Sequence, residues 1–209
     1  MSSRLRLSAS IAALALGAVA CTTSENGTPT ARETTPSGPP SVSATTQPPP
    51  TVDIPARPAE LKIDSIDPCT LMANDQLKQL KVNRTRSTVN KSEVFSGSKE
   101  CVLDVTEQSS IYHYRLTAVT TEGIGPWLTG KRNVEAKLVI VGDYGAAQFF
   151  IPGEGPNPDN CTTSIDVAPG QQLMVSTDPI SLRVFTQEQL CQMSQEAAGL
   201  ALATLRASR

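Results

Sequence analysis

Histidine occurs once in the 209 residues, as His113. That scarcity excludes the zinc sites that rest on paired histidines, and no C-x-x-C or His-Cys cluster offers a substitute. Aromatic residues make up 4 % of the chain, with a single tryptophan, Trp127. No run of about 20 apolar residues is present, the length a membrane-spanning helix needs. A basic excess is also missing. The formal net charge is −2, which argues against a dedicated nucleic-acid binder. The nucleophile elbow G-x-S-x-G, the phosphate-binding P-loop and the H-E-x-x-H zinc helix are all absent. Asp and Glu are scattered without the paired spacing of a glycosidase. These absences lead us to expect no enzyme, no catalytic residues, no metal and no cofactor.

What is present begins at the N-terminus. Arg4 and Arg6 precede "LSASIAALALGAVA", which is apolar or small almost throughout, and Cys21 follows. A short positive region, a modest apolar region and small residues at the border read as a signal peptide over residues 1–20. Ala18-Val19-Ala20 fits plain secretion. Cys21 fits a bacterial lipobox, in which a thioether lipid is joined to the cysteine, although Ala18 stands where Leu is usual. Two acyl chains, palmitate among them, hold a protein stably on a bilayer where one does not.

Residues 22–60 carry nine Pro, nine Thr and four Ser, and almost no large apolar side chain. Such a segment buries too little surface to offset the entropy of ordering. Residues 21–60 are therefore expected to be a lipidated cysteine and a disordered tether, drawn toward extended polyproline II. Residues 61–209 have the size of one domain with one core. Their cysteines, Cys69, Cys101, Cys161 and Cys191, are even in number and suit disulfides in an exported domain. Four cysteines allow three pairings. Neighbour pairing (Cys69–Cys101 with Cys161–Cys191) joins helix starts to strand starts, and the rival Cys69–Cys191 with Cys101–Cys161 ties helix to helix.

Periodicity gives the elements. "DPCTLMANDQLKQL" reads as a helix capped by Asp67, with Pro68 in its first turn. "KECVLDVT", "IYHYRLTAVTT", "EAKLVIV", "GAAQFFI", "NCTTSIDV" and "QQLMVST" read as strands. "TQEQLCQMSQEAAGLALATLRAS" reads as a closing helix capped by Thr186, with Leu190, Met193, Ala197, Leu200, Ala201 and Leu205 as its apolar stripe. The basic stretch Lys78, Lys81, Arg84, Arg86 and Lys91 reads as a solvated helix end and loop. The resulting fold class is α+β: a twisted antiparallel sheet of about five to seven strands, an N-terminal and a C-terminal helix on one face, and two disulfides.

This combination resembles the actinobacterial lipoproteins grouped as domain of unknown function 3558. The resemblance rests on the signal and lipobox, the Thr/Pro-rich tether, Asp67-Pro68-Cys69 followed by Leu71, and the spacing of the later cysteines. The family often has an aromatic two places after the second cysteine, where this chain has Leu103. The resemblance implies the neighbour disulfide pairing and a place on the outer face of the cell membrane, lipid-anchored. It brings no activity. The expected function is a binding or accessory module of the cell envelope, with a cell-wall component, small ligand or envelope protein as partner and the membrane reached through the lipid. An extracytoplasmic enzyme with an unrecognised site and a structural envelope protein are the alternatives. Three residues stand out as ligand-recognition candidates. His113 and Arg115 share a polar strand face opposite Tyr112 and Tyr114, and Trp127 is either an exposed recognition aromatic or a core or lid residue. "PGEGPNPDNC", residues 152–161, reads as a surface loop rather than a calcium site, since it lacks the EF-hand pattern.

Overall fold

A computed structural model describes residues 52–153 and 158–209. The signal segment, Cys21, the tether up to residue 51 and the middle of the 152–161 loop lie outside the described residues.

Seven strands form one antiparallel sheet: β1 (Arg84–Val89), β2 (Lys99–Thr106), β3 (Ile111–Val119), β4 (Glu135–Val141), β5 (Tyr144–Phe150), β6 (Cys161–Ala168) and β7 (Gln171–Pro179). Their spatial order is β1-β2-β3-β7-β6-β5-β4. The chain lays down one meander, jumps to the far edge, and works back until β7 closes on β3. Two tight turns are visible in the sequence. Gly142 takes a positive φ of 61° between β4 and β5, and Gly170 takes 69° after Pro169 between β6 and β7, a conformation that glycine adopts without steric cost.

One face of the sheet is covered by the helices. α3 (Gln187–Ala207) packs chiefly over β6 and β7. It starts as its sequence predicts: Thr186 Oγ1 accepts from the Gln189 amide at 3.2 Å, and Gln189 Oε1 accepts from the Thr186 amide at 2.8 Å, a capping box worth about 1 kcal/mol. Leu190, Ala197, Ala198, Ala201, Leu202 and Leu205 are buried against the sheet, while Met193 and Leu200 of the expected stripe are partly buried at its flank. The core between them includes Leu103, Tyr114, Leu116, Ile165, Leu173 and Val175.

The N-terminal helix is not continuous. It divides into a 3-10 turn, Pro68–Leu71, and a short helix α1 (Asn74–Gln79), because Met72 and Ala73 are extended. The break lets the adjacent Leu71 and Met72 both reach the core, at 2 % and 5 % exposure, while Cys69 is held to β2. Gln76 ties α1 to α3 by donating to Leu200 O at 3.0 Å and accepting from Thr204 Oγ1 at 2.8 Å. The stretch read as helix end and loop contains strand β1 instead. Edge pairing with β2, from Arg84↔Asp104 to Val89↔Lys99, makes it a strand despite its polar composition.

Both disulfides follow the neighbour pairing: Cys69–Cys101 with Cα atoms 5.0 Å apart, and Cys161–Cys191 at 4.9 Å. Each pins a helical start to the start of a strand on the covered face.

Candidate functional site

Among the described residues, the second face of the sheet carries no long helix. Its β1-β2-β3-β7 half displays charged side chains because every other residue of those strands points there. Register brings Asp104 opposite Arg84 and His113, and His113 opposite Asp178. Glu100 lies at the centre, nearly fully buried. Its carboxylate accepts from Asn90 Nδ2 at 3.0 Å, Thr117 Oγ1 at 3.1 Å and Arg115 Nη1 at 3.3 Å. Arg115 also donates from Nη2 to His113 Nε2 at 3.0 Å, and its Nε lies 3.5 Å from Asp178 Oδ2. A guanidinium only donates, so Nε2 accepts in that contact. Asp178 Oδ2 is 3.4 Å from the same Nε2 and accepts from Ser176 Oγ at 2.9 Å. Toward the edge, Arg86 makes a two-pronged bond to Asp104 at 2.9 and 3.0 Å, with Arg84 at 3.1 Å. The hydrogen bond from Arg86, then the charges of Arg86 and Arg84, hold the Asp104 carboxyl below its usual range against a smaller burial effect.

His113 and Arg115, singled out from sequence, thus meet in one network. Glu100, Asp104, Ser176 and Asp178 join it through register, which the sequence does not print. Their only signal is the alternation within each strand. The Ser176 hydroxyl donates to Asp178 and not to the imidazole. Among the described residues no cluster of His, Cys, Asp and Glu is arranged to hold a metal ion, and no helix is long and apolar enough to cross a membrane.

Trp127 lies apart from that network. It sits on α2 (Gly125–Leu128), is 8 % exposed, and caps a small second core with Phe95, Val119, Ile124, Ala147 and Phe149. Its ring stacks on Phe149 at 3.9 Å, and the Arg132 guanidinium lies over it at 4.7 Å. Trp127 Nε1 donates to Gln172 Oε1 at 2.8 Å, which also accepts from Ser164 Oγ at 2.6 Å. Gln172 Nε2 donates to Glu122 O at 3.1 Å and Gly123 O at 3.2 Å, so the buried amide is fully used. The indole is a lid over the β5–β6–β7 half of this face.

Beside that lid runs a strap of the chain ahead of residue 61. Ile54 packs on the second core, Arg57 forms an ion pair with Asp166, and Tyr144 Oη donates to Ala59 O at 2.9 Å. Gly145 makes room for it: a Cβ there would stand 3.2 Å from Ile54 Cγ2 and Pro55 Cδ. The chain then turns over the sheet end, where the Leu61 amide bonds Val167 O at 2.8 Å and Ile63 enters the main core. A cleft of about 520 Å³ opens between the strap and Gly123, Ile124, Gly125 and Asp166.

No curated protein gives a significant match to the chain. The sequence model of one family, described as "Protein of unknown function (DUF3558)", matches residues 16–204. That span takes in every strand, both disulfides and nearly all of α3, and on it the chain belongs to the family of domain of unknown function 3558.

Proposed function

We propose that the chain is a lipid-anchored, extracytoplasmic binding module of the cell envelope, not an enzyme, which holds a polar partner on its uncovered sheet face. The observation that carries this is the arrangement of Arg84, Arg86 and Arg115 with Asp104 and Asp178 on a sheet half that no helix covers among the described residues. Held in place by mutual ion pairs, such groups present donors and acceptors to a partner at little further entropic cost. The two disulfides favour an oxidising compartment. Cys21, left over when the other four cysteines pair, favours lipid attachment.

Two experiments test the reading. Cys21→Ala is expected to move the protein from the membrane fraction to the soluble one; retention on membranes refutes the anchor. A photo-crosslinking residue at Thr88, on the charged face, is expected to capture an envelope component in native membranes, whereas one at Gln192 on α3 is not. No adduct from Thr88, or equal adducts from both positions, refutes the docking face.

A further inference from the structure

The strap is held over its cleft by one charged contact, and the cleft has a chemistry of its own. Asp166 is 6 % exposed, and its side chain is bonded to Arg57 alone among the described residues. Arg57 comes from a segment with the composition of a tether. Two carboxylates, Glu60 and Asp166, line the cleft against that single guanidinium, and Ile54, Pro55 and Ile124 supply apolar wall. About 520 Å³ is within the size range of small-molecule sites. Burial pushes the Asp166 carboxyl up, and the charge and hydrogen bond of Arg57 oppose it. A buried carboxylate stripped of its one partner is destabilised, so a second cation in that position is favoured.

We propose that this cleft is a binding site for a cationic alkyl ligand, an alkylguanidinium or alkylammonium, which takes Asp166 in place of Arg57 and lifts the strap. The alkyl part packs on Ile124 and on the second-core surface that Ile54 vacates. The head group bonds Asp166. The hinge lies ahead of Leu61, because Leu61 and Ile63 stay fixed by the Val167 carbonyl and the Gln171 side chain, the latter at 2.8 Å. Binding therefore frees residues 54–60 from the sheet while Leu61 stays in place. The inference concerns the Trp127 side of the face and stands apart from the charged docking surface.

The test uses the full chain and agmatine, with butylurea as the uncharged control. Trp127, the only tryptophan, sits on α2 next to the cleft and reports binding by fluorescence. Hydrogen exchange over residues 54–60 reports the strap. Agmatine is expected to give a saturable fluorescence change and to raise strap exchange at least about tenfold, while butylurea does neither. Arg57→Gln removes the resident competitor and is expected to tighten agmatine binding several-fold, since the site no longer spends part of its time filled. Asp166→Asn is expected to abolish binding. The proposal is overturned by any of three results: no saturable change in either the natural protein or Arg57→Gln, agmatine binding that survives Asp166→Asn, or binding with strap exchange unchanged.

Discussion

Thr177 faces the main core directly opposite Cys161, fully buried, and its hydroxyl has no hydrogen-bond partner among the described residues. A buried hydroxyl without a hydrogen bond costs about 1–3 kcal/mol. Thr177→Val keeps the shape and removes the group, so it is expected to stabilise the fold by about 1 kcal/mol. At this chain length that is about 2–4 °C in melting temperature; a lower melting point would show the hydroxyl to be paired. Asp104 gives a pH effect of definite sign. Its folded-state carboxyl titrates below the usual range, chiefly through the Arg86 hydrogen bond. The stabilisation is therefore whole above the ordinary carboxylate range and is lost as pH falls through the lower folded value. Asp104→Asn is expected to be less stable than the natural protein at neutral pH, with the gap closing in strong acid, below the folded-state value. Denaturant melts at the two pH values check this, and a gap that persists in acid would contradict it. His113 and Arg115 could be singled out by strand alternation alone. Their carboxylate partners could not, because they are chosen by pairing register with other strands, Glu100 on β2 and Asp178 on the distant β7.

Among the elements, legibility followed the reach of the signal. β2 and β4 fall where their alternating residues put them, Lys99–Thr106 and Glu135–Val141, and α3 runs from its Thr186 cap as read. β1 escapes the alternation signal because its residues are mostly polar and exposed, and only bonding to β2 makes it a strand. The first helix is broken although the helix periodicity over "DPCTLMANDQLKQL" is genuine. Burying both Leu71 and Met72 while Cys69 is tied to Cys101 overrides it. The disulfides are expected to matter as links between elements. Cys161–Cys191 closes a separation of 30 residues, worth about 3–4 kcal/mol in the chain-entropy picture. Replacing both cysteines with Ala is expected to lower the melting temperature by about ten degrees. A shift of less than about one degree would show that α3 docks without the link.

At the scale of the whole molecule, the strap changes where the folded body begins. Residues 54–60 read as tether from composition, yet Ile54, Arg57 and Ala59 are held against the sheet. Limited thermolysin digestion is expected to leave a resistant fragment that still contains Ile54–Glu60. A resistant fragment starting at residue 61 would mean the strap is not held in solution. The chain by itself determined the local features: the helix cap at Thr186, the glycine turns, the alternation of β2 to β7, and an even set of four cysteines in the folded part. These depend on neighbours within a few residues, whose sterics and hydrogen bonds are written in order along the sequence. Tertiary structure alone decided that β7 closes on β3, that Glu100 and Asp178 join His113 and Arg115, and that a proline-rich strap finds Asp166 and the space left by Gly145. Those contacts join residues from 15 to more than 100 positions apart, and what selects them is the burial of one sheet face and the pairing of charges on the other.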